Sequence, residues 1–194
     1  MITTEIKGVP LTFETDAKLF SPNAVDRGTL AMLSAIEFPA EGKVLDLGCG
    51  YGVVGILAAK LIGAENVVMT DVSAAAVAAA QQNAAANGVP GIVTVQSDGY
   101  RSLDVSGFSM ILSNPPYHTD FGVAKHFIEK GFNRLVIGGT FVMVTKRRDW
   151  YRNKLAAIFG GVRVAESDGY FVFIAERRGQ HYANMKKTGG RHVI

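Results

Sequence analysis

The tetrapeptide Asn114-Pro115-Pro116-Tyr117 holds the residue types best suited to chemistry in this chain. The Asn114 side chain offers a carbonyl oxygen, and two successive prolines fix the backbone so that the carbonyl of Pro115 stays projected. Tyr117 adds a flat face on which a planar group can lie. An exocyclic amino group of a base, or a glutamine amide, is a poor nucleophile because its lone pair is delocalised, and acceptors that hold its N–H bonds favour a pyramidal nitrogen. The four residues are therefore candidate catalytic residues for transfer to a planar nitrogen, although such residues also build ordinary turns.

A glycine-rich loop, Asp-Leu-Gly-Cys-Gly-Tyr-Gly at residues 46–52, is the second candidate for chemistry. Glycines there allow a tight turn and a close approach of the backbone to a ligand. Residues 50–55 also match the G-x-G-x-x-G of dinucleotide-binding folds, with Asp71 as a ribose-binding acid, so a nicotinamide-dependent dehydrogenase is an alternative. Asp46, however, would repel a pyrophosphate and would attract an ammonium group. The loop therefore favours S-adenosylmethionine, whose methionine end carries an ammonium group.

Alternating apolar runs and helical stretches must position these residues. The pattern predicts an α/β fold with a Rossmann-like, doubly wound, mostly parallel seven-stranded sheet and a C-terminal antiparallel hairpin. In such a sheet, ligands bind at the carboxyl ends of the strands. Strands are predicted at 43–47, 66–71, 92–96, 108–113, 140–145, 162–167 and 170–175. Helices are predicted at 52–61, 123–135 and 149–159, and a further helix begins after the N-cap Ser73 and stops at Asn87-Gly88. Turns are predicted at Gly139 and at Asp168-Gly169.

Composition and charge bound the function further. The 194 residues suit one domain, and the apolar runs are too short to span a bilayer. The single cysteine, Cys49, excludes an intrachain disulfide and a multi-cysteine zinc site, so we expect no metal and a cytoplasmic location. Residues 1–120 carry a net charge of −6 and residues 121–194 a net charge of +9, which suits either a polyanionic partner or an ordinary solvated surface.

The glycine loop and the tetrapeptide together resemble the class I S-adenosylmethionine-dependent methyltransferases. The loop of that family reads acidic-x-Gly-x-Gly-x-Gly, and its motifs follow in the order found here. The resemblance implies that the loop glycines line the methionine and ribose, that Asp71 holds the ribose hydroxyls and that Asp98 accepts a hydrogen bond from the adenine amino group. The cofactor-binding residues implied are Asp46, Gly48, Cys49, Gly50, Gly52, Asp71, Val72, Asp98, Gly99 and Asn114.

Within that family the sequence is most similar to the small-domain group of the ribosomal small-subunit guanine-N2 methyltransferases. The resemblance is carried by Asn-Pro-Pro-Tyr-His-Thr-Asp at residues 114–120 and by Phe20-Ser21 and Asp26-Arg-Gly-Thr29 upstream. By analogy the upstream residues precede the helix that leads into the first strand and lie over the cofactor. The two-domain members carry an extra N-terminal domain that has no counterpart here, and Tyr117 stands where they often have phenylalanine.

The resemblance implies methylation of the exocyclic N2 amino group of a guanine in ribosomal RNA. The alternatives are a glutamine-amide protein methyltransferase, an adenine-N6 nucleic-acid methyltransferase and an RNA-binding module without catalysis. The basic segment 146–154 mixes cations with aromatic residues after the fifth strand, where RNA would pass, although a solvated helix face is the alternative. The substrate-binding residues expected are Tyr117, His118, Lys146, Arg147 and Arg148.

The expected domain organisation is simple. Residues 1–178 form the methyltransferase domain, of which 1–40 are an N-terminal lead-in and helix, and residues 179–194 form a basic tail. The tail is expected to fray or to become ordered on an acidic partner. We expect RNA as a partner and no membrane, and the sequence does not distinguish a monomer from a dimer.

Overall fold

The computed structural model describes residues 1–16, 21–115 and 121–183. The strands are β1 (Ile2–Ile6), β2 (Val9–Phe13), β3 (Lys43–Leu47), β4 (Val67–Asp71), β5 (Val93–Gln96), β6 (Phe108–Ser113), β7 (Leu135–Thr145), β8 (Arg163–Ser167) and β9 (Tyr170–Glu176). The helices are α1 (Arg27–Ser34), α2 (Val53–Ile62), α3 (Ala74–Ala86), α4 (Phe121–Arg134) and α5 (Asp149–Phe159).

Seven of the described strands form one twisted layer in the order β5-β4-β3-β6-β7-β9-β8. Strands β3 to β7 pair in parallel, and β9 pairs antiparallel with both β7 and β8. The predicted mostly parallel seven-stranded sheet with a C-terminal hairpin is therefore confirmed. The strand order reverses between β3 and β6, which opens a crevice at their carboxyl ends.

The core lies on both faces of the sheet, because successive strand residues point to opposite sides. On β3, Val44 packs into a cluster with α1, α2 and α3, whereas the next residue, Leu45, packs into a second cluster with α4 and α5. Both residues are fully buried. The central strands are consequently apolar along their length, and polar residues collect where the strands end.

The N-terminal lead-in contains a β-hairpin that was not predicted from the sequence. β1 and β2 pair antiparallel around Lys7-Gly8, which have φ values of 53° and 75°, as in the tight turns of two-residue hairpins. Asn83 of α3 and Asn87, which caps the C-terminus of that helix, hold β2 and its continuation. Asn87 contacts both backbone polar groups of Thr12, and Asn83 contacts both of Glu14.

Two glycine turns were predicted in the C-terminal half, and one of them is placed differently. Asp168-Gly169 joins β8 to β9 with φ values of 55° and 74°, as predicted. Gly139, however, lies inside β7, which begins at Leu135, and it is Gly138 that adopts the positive φ of 86°. A side chain at position 139 would approach the backbone oxygen of Phe108 to 2.9 Å, so this glycine permits a close strand contact and makes no turn.

The packed chain extends past the expected domain boundary at residue 178. The Tyr182 ring lies edge-on to Phe132 at 5.0 Å, and its hydroxyl donates to the backbone oxygen of Glu129 at 2.8 Å. Residues 184–194, which hold most of the expected basic tail, lie outside the described residues. None of the helices in the described ranges is long and apolar enough to cross a membrane.

Candidate functional site

A cavity of about 420 Å³ opens at the carboxyl ends of β3, β4, β5 and β6. Its volume is within the range of small-molecule and cofactor sites. It lies at the point where the strand order reverses, as the sequence predicted. The lining residues are Ser21, Asp26, Thr29, Asp46, Leu47, Gly48, Cys49, Gly50, Tyr51, Val53, Val54, Thr70, Asp71, Val72, Ser97, Asp98, Gly99, Asn114, Pro115, Val123 and Phe127.

Asp46 is the buried acid of the site. It is 3% exposed, and its Oδ2 accepts a hydrogen bond from the backbone N–H of Gly55 at 2.9 Å. Burial raises the pKa of Asp46 from 3.8 to about 7, because the loss of solvent outweighs that hydrogen bond, and nearby Asp71 raises the pKa further. A cation in the cavity would stabilise the carboxylate, so the side chain is suited to bind a positively charged ligand.

The glycine loop bends back over the end of β4. The backbone N–H groups of Gly48 and Cys49 both donate to the Thr70 carbonyl, at 2.8 and 2.9 Å. Gly50 has a φ of 55° and open space where a side chain would stand, so the backbone itself faces the cavity. Burial raises the pKa of the Cys49 thiol well above its ordinary value, so this cysteine stays protonated and serves as a small wall residue.

Gly52 has a different place from the one expected. It precedes α2 with a φ of 99°, and a side chain there would meet Ile56 at 2.9 Å and Ala80 at 3.4 Å. It is not among the described residues that line the cavity. Its physical role is the close packing of α2 against α3, which fixes the loop without contacting the cavity.

Asp71 lies at the end of β4 and connects the loop to the next helix. Its Oδ2 accepts from the Gly50 N–H at 2.9 Å, and its Oδ1 accepts from the Ser73 N–H at 2.9 Å. Ser73 caps α3, as predicted, by accepting from the Ala76 N–H. The carboxylate is thus held at the cavity wall by backbone donors, and each oxygen keeps a second lone pair for a hydroxyl group.

Asp98 and Gly99 form the far rim beyond β5. The Asp98 carboxylate is 62% exposed and pairs with Arg101 at 2.9 Å, while Gly99 adopts a φ of 60°.

Apolar residues flank this rim, since Val72 is 65% exposed beside the cavity and Val123 and Phe127 line it from α4. Val123 and Phe127 were not predicted as site residues from the sequence. They stand four apart on one helix face, but that spacing is also typical of core residues.

Asn114 follows β6 and is anchored by the start of α1. Its Nδ2 donates to Asp26 Oδ2 at 2.7 Å and to Thr29 Oγ1 at 3.0 Å. Asp26 is the N-cap of α1, so Thr29 belongs to the first turn of the helix that it was expected to precede. Both residues line the cavity, together with Pro115 and Ser21. Phe20, Pro116, Tyr117, His118, Thr119 and Asp120 lie outside the described residues.

Tyr51 is a further wall residue that the sequence analysis did not single out. Its hydroxyl lies 3.5 Å from the backbone oxygens of both Ser21 and Ala24 and shares its one hydrogen between them. Burial raises the pKa of Tyr51 to about 12, so the hydroxyl stays a donor. The glycine loop is thereby joined to the segment that leads into α1.

Lys146, Arg147 and Arg148 are exposed directly after β7. The charged group of each lies over an aromatic ring. The distance to the ring centroid is 4.9 Å from Lys146 to Tyr170, 5.2 Å from Arg147 to Phe121 and 6.0 Å from Arg148 to Phe171. Phe121 itself stacks on Trp150 with centroids 4.4 Å apart. These cations are not among the described residues that line the cavity. They lie at the same edge of the sheet, because β7 neighbours β6.

The strand order arranges the polar residues in a line. Asp98 follows β5, Asp71 ends β4, Asp46 lies on β3 and Asn114 follows β6, and these four strands are consecutive neighbours. An elongated ligand can therefore lie along the edge, with hydrogen-bond donors at one end, a cation in the middle and its reactive group beside Asn114. In the described part of the chain, no group of three or more His, Cys, Asp or Glu side chains is placed to hold a metal.

Comparison with known proteins finds a family model and relatives that match most of this chain. The family model described as "Methyltransferase small domain" matches residues 10–175. The uncharacterized protein YbxB of Bacillus subtilis (strain 168) is 30% identical over 178 residues, which cover 89% of each chain. Ribosomal RNA small subunit methyltransferase C of Sodalis glossinidius (strain morsitans) is 35% identical over 157 residues, which cover 79% of this chain and 44% of the relative.

A solved structure aligns with most of the fold. It is the T. thermophilus 16S rRNA N2 methyltransferase RsmC in complex with AdoMet and guanosine, with a TM-score of 0.81 and 29% identity over 91% of this chain and 50% of that one. The chain thus spans about half the length of the ribosomal RNA methyltransferases that it matches.

Proposed function

This chain belongs to the methyltransferase small domain family, and we propose that it methylates the exocyclic N2 amino group of a guanine in ribosomal RNA. The proposed methyl donor is S-adenosylmethionine. The similar RsmC structure, which holds both AdoMet and guanosine, supports the choice of donor and of base. A ribosomal RNA substrate also implies a cytoplasmic location.

The observation that carries the proposal is the line of polar residues along the carboxyl edge of the sheet. Asp98 would accept from the adenine amino group, Asp71 from the ribose hydroxyls, and Asp46 would face the positively charged methionine end. Val72 and Phe127 offer apolar walls for the adenine ring. These residues fit S-adenosylmethionine because acids would face its N–H and O–H groups. A cation would also stabilise the ionised form of the buried Asp46 carboxyl, whose pKa is about 7.

The reaction then depends on holding the amino group in place. S-adenosylmethionine supplies an electrophilic methyl group on a positively charged sulfur. The Asn114 side-chain oxygen and the Pro115 carbonyl accept hydrogen bonds from the two N–H bonds of the guanine amino group, which directs its lone pair away from the ring plane. Positioning and electrostatics of this kind account for most of the rate gain in such transfers.

The cations after β7 are the proposed RNA contact. The charged groups of Lys146, Arg147 and Arg148 lie over aromatic rings, and all three residues are exposed, so cation–π contacts hold them in place at the surface. Phosphate neutralisation by such residues supplies affinity without base specificity. In the proposed complex Tyr117 stacks on the guanine, and His118 contacts the RNA beside it. We also propose a methyltransferase domain at residues 1–178 followed by a basic tail at 179–194, in which Tyr182 packs on α4.

The test is methyl transfer from labelled S-adenosylmethionine to small-subunit ribosomal RNA, given as purified RNA and as the assembled subunit. Nucleoside mass spectrometry is expected to find N2-methylguanosine. N6-methyladenosine would assign the enzyme to adenine, and label released by protease but not by ribonuclease would assign it to a glutamine amide. A protein that binds S-adenosylmethionine without transferring label to any of these would contradict the proposal.

The matched variant is Asn114→Ala. It removes the acceptor for the amino group, so turnover is expected to fall by about 100-fold or more. Cofactor affinity, measured by calorimetry, is expected to stay within about threefold, because the acids and the glycine loop are untouched. Full activity in this variant would exclude the catalytic role of Asn114.

A further inference from the structure

We infer that Asp26 and Thr29 act as positioning residues that fix and polarise the Asn114 amide for catalysis, an inference that rests on the proposed function. The two residues belong to the start of α1, more than 80 positions before Asn114 in the chain. Both amide contacts are short, at 2.7 and 3.0 Å, and both are partly shielded from solvent. The catalytic side chain is therefore held by an element other than its own strand.

The contact with Asp26 determines which way the amide faces. A carboxylate only accepts hydrogen bonds, so the amide nitrogen and not the oxygen must face Asp26. The Thr29 hydroxyl oxygen accepts a hydrogen bond from the second N–H of the same amide. With both protons of Nδ2 held, the Asn114 side-chain oxygen is directed away from α1, and the orientation in which that oxygen would meet the carboxylate is excluded. An acceptor aimed in one direction is what an amino group with two N–H bonds requires.

The charge of Asp26 also strengthens the acceptor. A hydrogen bond from an amide to a carboxylate is charge-assisted, and hydrogen bonds in series polarise one another. Electron density drawn from the N–H bonds toward the amide oxygen makes that oxygen a better acceptor for the substrate amino group. Asp26 thus acts on the substrate through Asn114.

Asp26 is itself held rigidly by the local fold. Its Oδ2 also accepts from the Thr29 backbone N–H at 2.9 Å, as an N-cap. Gly28 lies against the Tyr170 ring, where any side chain would come within 2.8 Å of the ring and 2.9 Å of the Asp26 carboxylate. The first turn of α1 is therefore fixed against β9, and the Asp26 carboxylate has a defined position relative to β6.

The experiment compares variants that separate capping from positioning. Asp26→Ser keeps an N-cap oxygen but is too short to reach Asn114, and Asp26→Asn keeps the size without the charge. Thr29→Val removes the hydroxyl at nearly constant volume, and Thr29→Ser retains it. Ser34→Ala, at the exposed last position of α1 and away from the cavity, is the control on the same helix.

The expected result is a split between turnover and binding. Asp26→Ser and Thr29→Val are expected to lower kcat about 10-fold to 100-fold, with Asp26→Asn between these and the wild type. Cofactor Kd and melting temperature change much less than kcat, Thr29→Ser recovers most of the kcat, and Ser34→Ala keeps all of it.

The outcomes separate this inference from the proposed function. Wild-type protein that transfers no methyl group to any guanine would refute the proposed function. Wild-type activity with unchanged kcat in Asp26→Ser and Thr29→Val would refute the positioning role alone. Parallel losses of kcat, cofactor affinity and melting temperature would show that the two residues only support the fold, and would overturn the inference as well.

Discussion

Among single residues, Asp46 links the stability of the protein to the proposed binding of a cation. The carboxyl is buried, with one backbone donor in contact and a second acid nearby. Its pKa of about 7 means that the folded protein retains a proton between about pH 4 and pH 7 that the unfolded chain has released. The contribution of this residue to stability is therefore greatest at low pH and declines as pH rises toward 7.

This linkage predicts the effect of Asp46→Asn on the ligand-free protein. The variant keeps an acceptor for the Gly55 N–H but has no charge to bury, so the free energy of unfolding is expected to rise on the order of 2–4 kcal/mol at pH 8. The gain is expected to be smaller at pH 5, where the wild-type carboxyl is largely protonated in the folded state. Urea unfolding at both pH values measures the difference. A gain that does not depend on pH would show that the pKa of Asp46 is unperturbed.

The same charge predicts the pH dependence of cofactor binding. A cationic ligand requires the deprotonated carboxylate, so wild-type affinity for S-adenosylmethionine is expected to fall by up to about tenfold per pH unit below pH 7. Asp46→Asn is expected to bind S-adenosylmethionine more weakly at pH 8 and to lack the loss of affinity that protonation of Asp46 causes below pH 7. The variant is a matched control because titration of the ligand itself is common to both proteins. Identical calorimetric profiles for the two proteins would remove Asp46 from the cation site.

Among the secondary-structure elements, α3 joins the N-terminal hairpin to the glycine loop. Asn83 is 1% exposed, accepts from the Glu14 N–H at 2.8 Å and donates to the Glu14 and Tyr51 carbonyls, each at 3.0 Å. We expect Asn83→Ala to cost about 2–3 kcal/mol of unfolding free energy, because it removes three hydrogen bonds of a buried side chain, one of them to the buried carbonyl of Tyr51. Gln82→Ala, at an exposed position of the same helix, is expected to stay within about 0.5 kcal/mol. Equal effects of the two substitutions in urea unfolding would contradict this role.

The elements also show what the sequence can and cannot predict. β3 and β6 were predicted at their observed bounds, because buried parallel strands are short apolar runs between polar ends. The hairpin of β1 and β2 was missed, because its support comes from Asn83 and Asn87, some 70 residues away. The acids of the site lie at the ends of strands or just after them and are visible as motifs. The contact of Asn114 with Asp26 depends on how α1 packs, which a spacing pattern does not encode.

At the scale of the whole molecule, charge is divided between the cofactor site and the proposed RNA surface. The acids of the cavity come from the first 120 residues, which carry a net charge of −6, and the cations after β7 come from the remainder, with a net charge of +9. Both groups lie at the same edge of the sheet. A negative cavity beside a positive rim suits the proposed cationic donor and polyanionic acceptor, which in the proposed reaction meet at Asn114.

This division predicts that RNA binding and cofactor binding can be weakened separately. Replacing Lys146, Arg147 and Arg148 by alanine is expected to weaken RNA binding at least tenfold and to reduce the slope of log affinity against log salt by up to about 2, since each phosphate contact contributes about 0.7 on single strands. Affinity for S-adenosylmethionine is expected to stay unchanged. The control is a double alanine variant of Lys43, at the amino end of β3, and Lys60, on α2, both away from the cavity edge. If that control lowers the salt slope as much as the triple variant does, the RNA contact is diffuse over the protein surface, and the cations after β7 are not its site.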